Sequence, residues 1–404
     1  MKKAIKATRS ALCLAISVVM GCALFLQDTL PNKYYITEGQ RFSLVSTGVF
    51  PVNAVYDGSL TEDAYASAGN TYTVGLRLPG GVSVKNVTVE VIDSESVVLG
   101  GTPFGIKMFT DGVLVVGITD IPTVDGTSCP ARECGLREGD ILHTIDGTAV
   151  WTNEDVSQII ADSKGAPLKV SFTRGDEKMT ATIVAKRSTD GSYKAGLWVR
   201  DSSAGIGTMT YYDPDSGVFA GLGHAVCDVD TGEIMPLMSG EIVSAAITGV
   251  TRGESGSPGE LHGVFLDSTD SGVLKVNRET GVYGYVLSVP NGKMVSVAAK
   301  QDITEGPAAI LSTVSGSEPS EYNIVIEKIN LSDKNPTKNM VIRVTDEKLL
   351  KVTGGIVQGM SGSPIIQNGK LVGAVTHVFI NDPTRGYAIF AENMLETSSS
   401  LETP

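Results

Sequence analysis

The sequence has few residues suited to metal binding and no excess of basic residues. It contains five cysteines and four histidines among 404 residues. Cys129 and Cys134 do not have the Cys-x-x-Cys spacing of a zinc site, and the histidines show no ligand pattern. The formal charge of −13 argues against a nucleic-acid partner, because phosphate binding requires a basic surface. We therefore expect no metal, no other cofactor and no nucleic acid.

The sequence also lacks heptad runs, and its internal repetition is limited to two copies of one short pattern. These are GESGSP at 253–258 and GMSGSP at 359–364. By contrast, 46 glycines and 17 prolines punctuate many Val/Ile/Thr runs, which is typical of short strands joined by tight turns. The length favours two or three domains. These features together predict a mainly β protein.

The first 32 residues resemble a targeting segment. Four basic residues precede an apolar run from Ala11 to Leu26. Such a run lies between a signal-peptide core of about 7–15 residues and a spanning helix of about 20. No clear cleavage site follows it, so we expect residues 1–32 to be a signal anchor, with a cleaved signal peptide as the alternative. The charge distribution places the N-terminus in the cytoplasm and the remaining chain outside.

Three further regions follow from the pattern of strands and turns. Residues 33–97 are expected to form a small β-rich juxtamembrane region. Residues 98–187 contain CGLREGDIL and a strand ending at IDG, followed by a helix with Thr152 as N-cap and Asp155 three residues later. This order resembles a PDZ domain, which binds extended peptides at a sheet edge. Its carboxylate-binding loop is expected at Phe104, Gly105 and Ile106.

Residues 188–404 consist of short strands and glycine-rich turns with almost no helical periodicity, which favours a two-barrel or sandwich β domain. Within it, Ser361 is followed by an apolar strand, an Asn368-Gly369 turn and a second strand. A hairpin of this kind could hold a nucleophilic serine rigidly. Small neighbours allow the N–H groups of Gly359 and Ser361 to point at an oxyanion.

The other copy of the pattern, around Ser255, has no apolar strand directly behind its proline. We therefore expect 253–258 to be a solvated loop and Ser361 to be the nucleophile. The alternative for Ser361 is an ordinary turn residue.

The base and the acid are less well defined by spacing. His224 follows a strand in FAGLGHAVCD and suits a general base, with His377 as the main competitor. His143 and His262 are weaker candidates. Asp346 is a candidate acid fifteen residues before Ser361, or else the cap of the helix that begins with EKLLK. The other acidic candidates are Asp228, Asp230, Asp267 and Asp270.

The segments GLGHAVCD and VTDEKLLKVTGGIVQGMSGSPIIQNGKLVGAVTHVFINDPTRGYAIF, with the preceding PDZ-like unit, resemble the stage IV sporulation protein B (SpoIVB) peptidase family. The resemblance covers nearly the whole chain and implies a C-terminal chymotrypsin-like β-barrel serine peptidase domain. It also implies that Ser361 is the nucleophile, His224 the base and Asp346 the acid. Met360 and Ser363 depart from the common Gly-Asp-Ser-Gly-Gly-Pro pattern of chymotrypsin-like proteases.

The resemblance further implies a role in sporulation signalling. Such peptidases are exported across the forespore membrane into the intermembrane space, where they cleave a membrane-associated regulatory protein and thereby trigger activation of a late mother-cell sigma factor. They also cleave their own N-terminal region, which is a candidate ligand of the PDZ domain. The alternatives are a non-catalytic PDZ binding protein and an exported quality-control protease.

Overall fold

The structure is a computed structural model that describes residues 2–44, 51–56 and 67–401, without the side chains of residues 2–9, 11 and 267–270. Its α-helices are α1 Lys2–Thr29, α2 Pro130–Glu133, α3 Asn153–Asp162, α4 Glu347–Thr353 and α5 Ala391–Ser398. The first strands are β1 Lys33–Thr37, β2 Asn53–Tyr56, β3 Thr71–Arg77, β4 Ser83–Ile92, β5 Ser96–Leu99 and β6 Pro103–Ile118. The next are β7 Ile121–Thr123, β8 Gly126–Ser128, β9 Ile141–Ile145, β10 Thr148–Ala149, β11 Pro167–Arg174, β12 Glu177–Val184, β13 Lys186–Arg187 and β14 Tyr193–Lys194.

The remaining strands belong mostly to two barrels. They are β15 Leu197–Tyr212, β16 Val218–Gly221, β17 Leu237–Thr251, β18 Glu260–Arg278, β19 Gly281–Val286, β20 Met294–Ser296, β21 Gly306–Ser312, β22 Ser320–Ile329, β23 Met340–Val344, β24 Pro364–Gln367, β25 Lys370–Phe379 and β26 Asp382–Phe390. The predicted mainly β fold is confirmed.

Helix α1 contains an 18-residue window, Leu12–Thr29, that is long and apolar enough to cross a membrane, as a membrane anchor or a signal sequence would. Strands β1 to β4 then form a separate sheet in the order β1-β4-β3-β2. Part of the predicted juxtamembrane region, residues 45–50 and 57–66, lies outside the described residues. The sheet is fastened to the rest of the molecule where the Gln301 side chain donates to the Tyr35 carbonyl at 2.6 Å.

The first barrel is a closed ring of six strands. Its hydrogen-bonded order is β6-β17-β18-β19-β16-β15, and a further pairing between β6 and β15 closes it. Its core contains Phe104, Met108 and Phe219, all less than 5% exposed. Closure pairs most of the sheet edges that an open sheet of this size would leave free, except along residues 197–208 of β15, which pair with β6 alone among the described strands.

The PDZ unit is inserted into this barrel. Strands β6 and β15 are each sixteen residues long and pair from Thr208 opposite Pro103 to Leu197 opposite Ile118. One end of this strand pair completes the barrel, while the other end joins the PDZ core, whose buried residues run from Val113 to Ala195. The helix predicted after IDG is α3, and its capping box of Thr152 and Asp155 is present. Both long strands are therefore shared by the barrel and the PDZ unit, and β15 lies beyond the predicted PDZ boundary at 187.

The predicted carboxylate loop at Phe104, Gly105 and Ile106 is wrong. These residues lie inside β6, where they pair with β15 on one side and with β17 on the other. The Phe265 and Val243 side chains fill the space above Gly105. Main-chain groups already used by two neighbouring strands cannot bind a peptide carboxylate, and the apolar run continues through this segment as one strand.

The second barrel consists of strands β21 to β26 in the closed order β21-β22-β23-β26-β25-β24. The predicted hairpin is formed by β24 and β25, with Asn368 and Gly369 at φ of 52° and 79° in its turn. Two consecutive positive φ values are typical of a type I′ turn, which matches the twist of the strands that it joins. The barrel core includes Ile310, Ile342 and Val375, all fully buried.

Candidate active site

Ser361 lies three residues before the start of β24, at the contact between the two barrels. The loop is bound to the first barrel by Thr208, whose N–H donates to the Ser361 carbonyl at 3.0 Å and whose hydroxyl donates to the Gly359 carbonyl at 2.8 Å. Gly362 has a φ of 94° and lies against the backbone of Thr208 and Leu222, where a Cβ would collide. The glycine therefore permits the two barrels to approach and fixes the serine between them.

His224 comes from the first barrel and lines the same cavity as Ser361 and Gly359, a space of about 480 Å³. It follows β16 after Leu222 and Gly223, which both have positive φ and turn the chain towards the second barrel. Its Nδ1 lies 2.8 Å from the Ala225 carbonyl. Because a carbonyl can only accept, Nδ1 carries the proton, and Nε2 is free to act as a base.

The environment of His224 favours its neutral form. Burial lowers the pKa of His224, and the hydrogen bond to the Ala225 carbonyl opposes this effect only in part. A neutral imidazole is the form that accepts a proton from a serine. The Ser361 hydroxyl itself donates to the Thr376 carbonyl at 2.7 Å, so it must rotate before it can donate to His224.

Gly359 and Ser361, the predicted oxyanion donors, have N–H groups that the loop leaves unused by the backbone. Within the described part of the chain, neither N–H donates to another backbone group, whereas Met360, Gly362 and Ser363 N–H groups all do. Gly359 has a φ of 93°, which only glycine adopts readily. The loop thus keeps two donors free beside the serine hydroxyl.

A second histidine, His377 on β25, lies against the first. The ring centroids of His224 and His377 are 4.9 Å apart, and their planes are inclined by 35°. The pKa of His377 is lowered to about 4 by burial, by the charge of His224 and by Lys338. Both rings also line an adjoining cavity with Glu279, a carboxylate that the sequence analysis missed. Glu279 sits in the turn between β18 and β19, a position that only the barrel pairing brings near His224.

Asp346 does not line either of the cavities that contain His224 and His377. Its carboxylate accepts from the N–H groups of Lys348 and Leu349 at 2.9 and 3.1 Å and caps helix α4. Slight burial acts to raise its pKa, but these N–H donors together with that of Asn323 outweigh it, and the pKa of Asp346 is lowered. Among the described contacts, none joins Asp346 to either histidine of the cavity. The structure therefore favours the helix-cap alternative for this residue.

The other candidates occupy different places. His143 bonds to Thr173 within the PDZ unit, and His262 bonds to Thr251 on an exposed hairpin. The predicted solvated loop at 253–258 is a turn between β17 and β18, and its Ser255 hydroxyl donates to the Asn381 carbonyl at 2.9 Å. The side chains of Asp267 and Asp270 lie outside the described ones.

Asp228 and Asp230 form part of a brace for the loop that follows His224. Both carboxylates bind the guanidinium group of Arg200 on β15. The Asp228 side chain is fully buried and also accepts from the Thr231 N–H at 2.9 Å. Asn277 completes the brace, because its amide bonds to both main-chain groups of Val226. These contacts fix the loop that follows His224.

Comparison with known proteins also indicates a peptidase. The SpoIVB peptidase S55 family model matches residues 191–395, just over half of the chain. A protein of Clostridium perfringens described as a zinc metalloprotease is 32% identical over 17% of this chain and 20% of its own length. The serine protease HhoA of Synechocystis sp. is 29% identical over 28% of each chain. The chain thus spans only about a fifth to just over a quarter of the length of these curated relatives.

Two solved structures show partial likeness. The PDZ domain of the SdrC-like protein from Listeria monocytogenes has 26% identity and a TM-score of 0.19, covering 22% of this chain and 87% of that one. The Rv3671c protease from M. tuberculosis in its active form has 16% identity and a TM-score of 0.29, covering 50% and 77%. The family match, together with Ser361 and His224 at one cavity, leads to one conclusion: this chain belongs to the SpoIVB peptidase S55 family, a family of serine peptidases.

Proposed function

We propose that the protein is a serine endopeptidase with Ser361 as nucleophile, His224 as general base, and the N–H groups of Gly359 and Ser361 as oxyanion donors. The observation that supports this most directly is the meeting of Ser361 and His224, from separate barrels, at one cavity. A hydroxyl, a neutral imidazole and two free N–H donors are the groups that acyl transfer requires. No group of three or more potential metal ligands occurs among the described residues.

The proposed reaction begins when the Ser361 hydroxyl leaves the Thr376 carbonyl and donates to Nε2 of His224. The serine oxygen attacks the peptide carbonyl while the imidazole takes its proton, and the resulting oxyanion accepts from Gly359 and Ser361. His224 then gives the proton to the departing amine, which leaves an acyl group on Ser361. Water repeats the sequence and releases the acid. In this structure the Ala225 carbonyl holds the histidine tautomer, and no carboxylate among the described residues bonds to His224.

The family assignment supports a more specific role, namely cleavage of a membrane-associated regulatory protein in the intermembrane space of the forespore, leading to activation of a late mother-cell sigma factor. Helix α1 would hold the enzyme at the membrane, on the side where such a substrate is found. A PDZ unit in a peptidase implies a protein substrate or peptide ligand, and the N-terminal region of the chain itself is one candidate. Release of the enzyme by self-cleavage is part of the same proposal.

The test compares the full chain in detergent micelles with Ser361→Ala and with Ser255→Ala, the matched serine of the other copy. We expect a fluorophosphonate probe to label the parent and Ser255→Ala at equal rates and to leave Ser361→Ala unlabelled. Intact mass over the same hours should show N-terminal truncation in the first two proteins only. A Ser361→Ala chain that still truncates itself would refute the assignment of the nucleophile.

Substrate range separates the proposed role from its alternatives. A parent chain that neither reacts nor cleaves, while still binding peptides, would be a PDZ binding protein. Degradation of many unfolded proteins without a preferred bond would indicate quality control. A single preferred bond in a membrane-associated protein would support signalling.

A further inference from the structure

Strand β15 runs as one strand from the PDZ unit to the candidate active site, although its pairing with β6 shifts register after Trp198 and after Arg200. Residues Leu197–Asp201 belong to the PDZ end, where Leu197 and Val199 pack against the PDZ core. Four and five residues beyond Asp201, Gly205 and Ile206 line the cavity that contains Ser361. At about 3.4 Å per residue, the segment from Leu197 to Ile206 spans about 30 Å. One strand therefore reaches from a peptide-binding type of domain to the candidate nucleophile.

One edge of this segment has no strand partner within the described part of the chain. From Leu197 to Thr208, β15 pairs only with β6, and its pairing with β16 begins at Met209. Thr208 shows which way the free edge faces, because its N–H donates to the Ser361 carbonyl and its carbonyl accepts from Leu222. Main-chain groups alternate along a strand, so those of Ile206, Ala204 and Ser202 face the same way. Ser202 and Ala204 are exposed.

Helix α3 lies beside the PDZ end of this edge. The N–H of Asn153, the first residue of α3, donates to the Asp201 carboxylate at 2.9 Å, and β14 packs near the same helix. A strand edge flanked by a helix is the arrangement in which PDZ domains add an extended peptide to their sheet. The free edge of β15 is therefore a candidate peptide site in place of the segment at Phe104, whose main-chain groups are already paired.

We infer that the free edge of β15 binds the part of the substrate that follows the scissile bond, as an added strand running from the catalytic cavity to helix α3. This inference rests on the proposed peptidase function. The direction follows from the chemistry. The acyl half of the substrate stays on Ser361 in the second barrel, whereas the departing amine receives its proton from His224 in the first barrel. Since β15 belongs to the first barrel and lines the cavity with His224, it is placed to hold the departing half.

The occupant is an extended polypeptide segment of about ten residues, because that length covers the edge from Ile206 to Leu197. Recognition through main-chain hydrogen bonds depends little on sequence, so an unfolded chain should be accepted at the edge, and the contacts at the catalytic cavity should restrict its cleavage to a preferred bond. A peptide strand bound along this edge would contact both the PDZ unit and the catalytic cavity. The PDZ unit would therefore take a direct part in cleavage.

The experiment uses the full chain in micelles with Ala204→Pro and the matched control Ala204→Ser. Proline removes one outward N–H without removing a bond to β6, whereas serine keeps it. The probes are a fluorophosphonate, which needs only Ser361 and its oxyanion donors, and β-casein, an unfolded polypeptide. We expect Ala204→Pro to react with the fluorophosphonate within twofold of the parent rate and to cleave casein at least fivefold more slowly. Ala204→Ser should match the parent in both.

A second pair, Ser202→Pro and Ser202→Ala, repeats the test closer to α3, and thermal unfolding identifies any variant that fails to fold. Equal casein cleavage by the proline variants and the parent would overturn the inference, as would a parent that reacts with the fluorophosphonate but leaves casein intact. A shift from dimer to monomer in Ala204→Pro would show that a second copy covers the edge instead. A parent inert to both probes would refute the peptidase function and the inference with it.

Discussion

The two Gly-x-Ser-Gly-Ser-Pro copies have nearly the same sequence and very different surroundings. Ser255 lies at the tip of an exposed hairpin, and its hydroxyl bonds to the Asn381 carbonyl. Ser361 lies between two barrels, with free N–H groups beside it and His224 in the same cavity. The copy that looks more like a protease motif, because Glu254 precedes its serine, is the one on the exposed hairpin and not the one at the cavity.

The difference shows that the residues that follow the motif in the sequence decide its role. Behind the second copy, β24 and β25 form a buried hairpin of the closed barrel. The first copy is followed by β18, whose start pairs with the segment before Gly359, since the Leu261 N–H donates to the Gln358 carbonyl at 2.9 Å. The first copy therefore contributes to the support of the second.

The largest predicted difference between the two copies is in the effect of replacing the glycine that follows each serine. In Gly362→Ala the new Cβ would collide with the Thr208 carbonyl and with the Leu222 N–H, whereas at Gly256 the space is open. Both glycines have positive φ, so each alanine costs about 1–2 kcal/mol of backbone strain. We expect Gly362→Ala to lose all fluorophosphonate labelling and at least about 4 kcal/mol of unfolding free energy. Chemical denaturation of both variants measures this, and equal losses would contradict the packing argument.

The residue before each serine gives the next largest effect. Met360 is fully buried, and Glu254 is exposed. Met360→Asp, which restores the common protease motif, places a carboxylate in an apolar core and should destabilise the chain by about 4 kcal/mol. The swap Glu254→Met should change stability by less than about 0.5 kcal/mol. Thermal melts of both proteins test this; a stable and more active Met360→Asp chain would show that the acid is missing from the site.

The histidine that follows each serine provides a comparison in pH. His377→Ala opens the environment of His224 to water, which should raise the lowered pKa of His224 towards its ordinary value. Activity requires neutral His224, so it falls as pH drops through this pKa. The acid limb of fluorophosphonate labelling should therefore move to higher pH, by up to about one unit. His262→Ala, at the exposed hairpin, should leave the limb in place. An unchanged limb in both variants would contradict the expected effect of His377 on the pKa of His224.

The smallest effect is expected at the first serine itself. Ser255→Ala removes the hydrogen bond to the Asn381 carbonyl, an exposed contact worth about 0.5–1 kcal/mol. Denaturation should detect this loss, while the labelling rate of Ser361 stays within twofold of the parent. A large loss of labelling would mean that the hairpin positions the oxyanion loop more tightly than these bonds indicate.

Local sequence signals predicted much of this architecture. The Asn368-Gly369 turn, the capping box of Thr152 and Asp155, and the apolar N-terminal helix all appear where the sequence placed them. Each depends on neighbours within a few positions along the chain. The prediction of a PDZ loop at Phe104 failed because β6 continues through this segment without a turn and is paired on both sides. Asp346 is a different case, because its carboxylate, which spacing had made a candidate for catalysis, caps helix α4 through local hydrogen bonds.

The sequence by itself determined the strands, the tight turns, the targeting segment and the serine loop, because these depend on side-chain alternation, glycine and capping over short distances. Tertiary structure alone decided that the PDZ unit shares two strands with the first barrel. It also decided that Glu279 and His377 lie near His224 and that the second copy, not the first, meets an imidazole. These relations join residues more than fifty positions apart, and only the closure of the two barrels brings such residues together.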